Sequence, residues 1–259
     1  MLLTIPELFL LAIGFLVIAT LYSSVGFGGG SSYLAILTLV FTSFFAIRST
    51  ALVCNLIVVS GSSYLFFKNG YLDFKKFLPF VLTSIPFAFL GARFKLEEHI
   101  FFIILGAALI VSAIALIFQS VHTNKSEEVN QNYPSYVTYF LGAGIGLLSG
   151  LVGIGGGIFL APILNYMKWD KSMKIAALAS FFILLNSISG IGGLITKGTF
   201  EVPWIEATVF IIAVFIGGQI GVRMSLNKFT SKSIKLITAI LVLMVGIRVL
   251  FINGLQYYF

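Results

Sequence analysis

Val25-Gly26-Phe27-Gly28-Gly29-Gly30 returns as Val152-Gly153-Ile154-Gly155-Gly156-Gly157, 127 residues on, each copy inside a long apolar stretch. Glycine costs a helix interior about 1 kcal/mol relative to alanine, so three in succession with a fourth close by should break a helix. In hydrocarbon an opened backbone survives only where it is buried in protein or lines a polar cavity. Paired breaks at corresponding places in two halves of a chain point to a transporter's binding site.

The repeat extends outward from the glycines. Ala51-Leu52 matches Ala177-Leu178, Asn69-Gly70-Tyr71-Leu72-Asp73 resembles Lys197-Gly198-Thr199-Phe200-Glu201, and Gly91-Ala92-Arg93 matches Gly221-Val222-Arg223 at a spacing of 130. A spacing that drifts so little indicates duplication. Residues 1–120 and 135–259 are read as the two repeats of a single membrane domain spanning 1–259. The polar residues 121–134, with Thr123-Asn124-Lys125-Ser126-Glu127-Glu128, form an exposed linker.

Composition agrees. Of 259 residues 59% are hydrophobic and 10% charged, with a mean hydropathy of +1.07, against roughly 25% charged residues in a soluble domain. Apolar stretches able to span a hydrocarbon core of about 30 Å recur along the chain, which makes it an all-α, multi-pass integral membrane protein of the lipid bilayer. The net charge of +7 does not point to nucleic acid, because the sixteen Lys and Arg are spread over short loops with no aromatic-interleaved basic face. One cysteine, Cys54, excludes an intramolecular disulfide, and with two histidines no zinc-type ligand set can be assembled. No metal or cofactor is expected. The first apolar stretch lacks a basic leader and an Ala-x-Ala site and is expected to stay as a helix.

Each half contains one broken stretch, 5–46 or 135–167, and three ordinary spans: 50–67, 77–92 and 100–119, then 175–196, 203–222 and 233–252. If each broken stretch crosses once, the positive residues split ten to six across the membrane; if each turns back at its glycines, they split eleven to five. Both counts put the amino terminus outside, so charge does not choose between them. Length favours the hairpin, since 42 helical residues extend about 63 Å, twice the hydrocarbon thickness. A hairpin also gives each half an odd number of side changes, so the halves would be inverted relative to each other, the arrangement that supports alternating access.

At the glycines, Gly28, Gly29, Gly30, Ser31 and Ser32, with Gly155, Gly156 and Gly157, are expected to open half-helices whose positive ends face an anion. Gly142, Gly146 and Gly150 form a small-residue stripe that reads better as helix packing. Neither glycine run fits Gly-x-Gly-x-x-Gly, since the sixth position is Ser31 or Ile158, which dismisses a dinucleotide site.

Gly26-Phe27-Gly28-Gly29-Gly30-Ser31 and above all Gly146-Leu147-Leu148-Ser149-Gly150-Leu151-Val152-Gly153-Ile154-Gly155-Gly156-Gly157-Ile158-Phe159-Leu160-Ala161-Pro162-Ile163-Leu164 resemble the twin signatures of the TauE/SafE family of sulfite exporter-like permeases. The similarity covers nearly the whole chain. It implies a transporter for small sulfur-containing anions such as sulfite, thiosulfate or organosulfonates, with two duplicated halves. The first copy departs from the second by Ser31-Ser32 after the glycines and by Ala35 opposite Pro162.

Few polar side chains fall inside the spans: Ser23, Ser24, Ser149, Cys54, Asn55, Ser180, Asn186, Ser187, Ser189 and Gln219. They can donate hydrogen bonds to an anion without burying an unpaired charge, or simply join helices. Ser23, Ser149, Asn55, Asn186 and Gln219 complete the candidate substrate site. Arg93 and Arg223 match in the repeat, and they and Arg248 read as snorkelling anchors more readily than as ligands. Cys54 reads as inert filler. All nine acids, Glu206 nearest a span, are placed in loops or near span ends, so coupling is absent or carried by the substrate's own proton. The expectation is a cytoplasmic-membrane permease that is not an enzyme. An anion channel is the nearest alternative; an intramembrane enzyme lacks a nucleophile with a base beside it.

Overall fold

The computed structural model describes residues 4–94, 96–122, 133–227 and 232–255. They form α1 (Ile5–Ser24), α2 (Gly30–Leu37), α3 (Phe44–Lys68), α4 (Phe74–Arg93), α5 (Glu98–His122), α6 (Ser135–Val152), α7 (Gly157–Tyr166), α8 (Ser172–Lys197), α9 (Trp204–Leu226) and α10 (Lys232–Arg248), which ends in a π-helical turn, Val249–Gly254. No strand occurs among the described residues. The order of one long, one short and three long helices occurs twice. Eight helices are long and apolar enough to cross a membrane, and apolar side chains such as Phe9, Val111, Phe140 and Met244 face outward. The chain is an all-α membrane protein.

Local chemistry sets where helices begin. Thr4 and Glu7 cap α1 reciprocally, with the Thr4 N–H and Oγ1 donating to Glu7 Oε2 at 3.0 and 2.7 Å. The Ser43 hydroxyl accepts from the Ala46 N–H at 3.2 Å, so α3 starts at Phe44, six residues before the expected 50, and the first broken stretch ends earlier than 46. Asp73 caps α4 through the Lys76 N–H. Glu206 lies near a span end as expected, in the first turn of α9, and is buried there. Glu127, Glu128 and most of the expected linker lie outside the described residues.

Packing is reciprocal. α4 lies on α6 and α1 on α9; α4 meets α8 and α3 meets α9; α5 pairs with α10 and α3 with α8. Each contact made by one of the first five helices has its counterpart among the last five. Glycines allow the closest approaches. A Cβ on Gly142, Gly146 or Gly150 of α6 would strike Phe80, Ser84 or Ala88 of α4, and one on Gly217 or Gly221 of α9 would strike the Leu16 or Thr20 carbonyl of α1.

These contacts sort the connections between two ends of the bundle. Lys76 pairs with Asp170 at 3.0 Å and the Tyr133 hydroxyl donates to the Met167 carbonyl at 2.8 Å. The start of α4, the start of α6 and the end of α7 therefore gather at one, lysine-rich end. At the opposite end Ser43 donates to Glu201 at 2.8 Å, and Arg248 donates from Nη1 to the Ala35 carbonyl of α2 at 2.6 Å. Arg248 is thus a cap on the end of α2 and not the snorkelling anchor its position suggested. α6 and α7 leave and return to the lysine-rich end, and α2 returns toward the other.

Candidate functional site: the paired glycine breaks

The two broken stretches turn back at their glycines. Gly29 and Gly156 immediately precede α2 and α7 with φ of +91° and +78°, a region that costs a residue with a side chain about 1–2 kcal/mol. α2 folds back along α1, with Tyr22 and Ser32 hydroxyls 2.7 Å apart and the Phe15 and Tyr33 rings stacked at 4.7 Å. Between Ser24 and Gly30, and again between Val152 and Gly157, the helical hydrogen-bond ladder is interrupted and other groups take its place.

Asn55, fully buried in α3, joins the two breaks. Its Oδ1 accepts from the Gly30 N–H at 3.1 Å, and its Nδ2 donates to the Ile154 carbonyl at 3.4 Å and to Ser187 Oγ at 3.2 Å. The fit leaves no room for side chains. A Cβ on Gly28 would collide with Asn55 Oδ1, and one on Gly155 would lie 2.9 Å from Asn55 Nδ2. The first glycine of α2 therefore already has an acceptor, a neutral oxygen where an anion's oxygen was expected.

Of the other expected residues, Ser31 lines the small void between the breaks with Gly28, Gly29 and Gly30. Ser149 lies against Gly156, and its hydroxyl is buried without a hydrogen-bond partner. Asn186 donates to the Phe182 carbonyl of its own helix at 2.9 Å, leaving its buried Oδ1 unpartnered. Three are spent elsewhere. Ser32 bonds Tyr22, Ser23 donates to the Gly218 carbonyl of α9 at 3.0 Å, and Gln219 lies against Gly61 of α3, more than a turn from Asn55. Ser180 donates to the Gly26 carbonyl at 2.9 Å and Ser189 to the Ile85 carbonyl at 2.6 Å; both stabilise opened backbone or helix contacts.

Two residues at the breaks escaped the sequence reading. Tyr33 presses its buried, unpartnered hydroxyl against Gly29; spacing from the glycines is the one signal that could have found it. By sequence Arg48 reads as a loop cation, yet it is 5% exposed. Its Nη2 donates to the Gly150 and Leu151 carbonyls at 2.5 and 3.1 Å, and its guanidinium lies 5.6 Å over the Phe101 ring. A cation there satisfies the last carbonyls of α6 where the helix stops. Among the described residues no carboxylate pairs with it.

Space is unequal on the two sides of the breaks. The void between them is about 10 Å³, bounded by Gly28, Gly29, Ile154, Ile158 and Ile183, about the least that admits one water. Toward the lysine-rich end lies a cavity of about 600 Å³ lined by Ser24, Asn165, Lys171, Ser225, Lys235 and Thr238, among others. Phe27 borders both spaces.

A model of the family described as sulfite exporter TauE/SafE matches residues 10–249. The chain belongs to this family. Among TauE/SafE relatives, a "Probable membrane transporter protein" of Sinorhizobium fredii is 31% identical, the match covering 93% of this chain and 97% of the relative. Proteins of the same description from Bacillus subtilis and Methanocaldococcus jannaschii are 25% and 26% identical, covering 91% and 93% of this chain and 94% of each relative. No solved structure matches. As a TauE/SafE member, the chain is a multi-pass membrane transporter, and the glycine breaks lie within the matched region.

Proposed function

We propose that this transporter moves a small sulfur-containing anion, sulfite or thiosulfate or an organosulfonate, across the cytoplasmic membrane by alternating exposure of a site between the two glycine breaks. The observation that carries this is Asn55, which ties the start of α2 to the Ile154 carbonyl of the other break in a region where the Tyr33, Ser149 and Asn186 oxygens are buried without partners. Buried polar atoms are almost always satisfied, so exceptions on the helices that form the breaks and on α8 beside them suit a ligand that comes and goes. In this mechanism Asn55 is a resident stand-in that yields the Gly30 N–H to the anion and takes it back after release.

Two duplicated, inverted halves, 1–120 and 135–259, supply the motion. The reciprocal packing and the return of α7 to the end where α6 begins support that reading. Rocking one set of helices on the other would open the site to either end in turn. The lysine-rich end is assigned to the cytoplasm by the positive-inside rule.

The test is flux in proteoliposomes loaded with sulfite, thiosulfate, sulfate or taurine. Substrate on the far side should accelerate exchange of the transported anion; a channel would show no such acceleration. Gly29→Leu and Gly156→Leu should each abolish flux while the protein still purifies as a folded monodisperse species. Undiminished flux in both variants would refute a site at the breaks.

A further inference from the structure

The cavity at the lysine-rich end has a composition that a structural gap does not need. It is walled by Lys171, Lys235, Ser225 and Thr238 together with the α1 terminus at Ser24, and among the described residues no carboxylate lines it. Lys235 is half-buried within the apolar span Ser233–Gly254, and among the described residues it has no ion-pair partner. Lys76 and Lys174, by contrast, both pair with Asp170. Lys235 stands in the first turn of this span, and what sets it apart from a snorkelling helix-end lysine is that it lines a cavity with no counter-ion among the described residues. The first turns of α8, at Ser172 and Met173, and of α10, at Lys235, also border the space and add their positive ends.

Resting on the reading of the chain as an anion permease, we propose that this cavity is a loading site for dianionic oxyanions, with Lys235 as its principal charge and Phe27 as the partition between it and the site at the glycine breaks. Its volume of about 600 Å³ is that of an ordinary small-molecule pocket, far larger than the void beyond Phe27. It therefore collects by charge, while discrimination by shape belongs to the narrow breaks. Lys171, at the mouth and exposed, attracts from a distance; Lys235, deeper and less screened, holds.

Binding of sodium sulfite and of sodium sulfate to the purified full-length protein, at ionic strength matched with sodium chloride, tests the assignment. Lys235→Ala should weaken both by about tenfold, the scale of one charge-assisted hydrogen bond, and Lys235→Arg should retain binding. Lys68→Ala, at an exposed helix end, should leave it unchanged. In Lys235→Cys combined with Cys54→Ser, aminoethylation of the new thiol should restore binding, and methylthiolation, which adds bulk without charge, should not. If wild type binds and Lys235→Ala binds equally, or aminoethylation of folded protein restores nothing, the loading site is refuted and the site at the breaks stands. If wild type binds neither anion, the loading site falls, and the site at the breaks is decided separately by thiosulfate and taurine flux.

Discussion

The two glycine breaks carry nearly the same sequence and solve the same problem with different chemistry. At the first, the stranded backbone is met by neutral groups: the Ser180 hydroxyl on the Gly26 carbonyl and the Asn55 amide oxygen on the Gly30 N–H. At the second, the end of α6 is met by a buried guanidinium, Arg48, on the Gly150 and Leu151 carbonyls. The neutral break borders the large cavity through Phe27; the cationic one does not. The charge-assisted bonds at the end of α6 are costlier to break than those of hydroxyls and an amide, which can exchange partners at lower cost. The contrast predicts that the first break is the mobile one and the second the fixed one.

Asn55 tests that contrast most severely, because it belongs to both breaks. Asn55→Ala leaves the Gly30 N–H, the Ile154 carbonyl and Ser187 to find new partners, at about 1–3 kcal/mol for each group left unsatisfied. Thermal unfolding of the purified protein should register the loss, and flux should vanish. Asn55→Asp keeps an acceptor for Gly30 yet sets a carboxylate against the Ile154 carbonyl and any arriving anion. It too should block flux, and normal transport by Asn55→Asp would show that anions do not approach Gly30.

Arg48→Met should come next. It removes two donors from the end of α6 and the contact with Phe101, for about 1–3 kcal/mol of stability, with Arg48→Lys falling between. If the second break is only a fixed support, the apparent affinity for transported anion should persist in whatever protein remains folded. A selective loss of affinity would move the binding charge to Arg48 and reverse the assignment of fixed and mobile breaks. Phe27→Ala should act in the other direction, joining the cavity to the void between the breaks. Uncoupled flux should rise severalfold and the acceleration by trans substrate should shrink, as measured in the same vesicles.

Sequence made the breaks legible because glycine is the one residue whose presence in a run has a backbone meaning, and because it occurred twice. Spans were legible from apolar length, and the hairpin from the excess length of residues 5–46. What escaped were side chains whose role depends on a partner far along the chain. Arg48 reads as a loop cation until α6, about a hundred residues later, is placed beside it. Lys235 reads as one more basic residue at a helix start until α1, α5, α7 and α9 enclose it. Ser23 and Gln219 meet neighbouring helices, which the sequence could not show, because a polar residue in a span looks the same whether it meets a ligand or another helix.

The smallest effects belong to Arg93 and Arg223, the pair that the repeat places in matching positions. Both are exposed; Arg93 lies 5.8 Å over the ring of Phe89, one turn back on its own helix. Such residues anchor a helix end at the membrane surface and touch neither break. Arg93→Ala and Arg223→Ala should each change stability by no more than about 0.5 kcal/mol and leave flux as it is. Because α4 ends away from the lysine-rich end and α9 ends at it, the two substitutions also probe the ends separately. A selective loss of flux in Arg93→Ala would mean that the anion meets a guanidinium on leaving at the opposite end, and a fixed second break could then no longer be the whole account of that side.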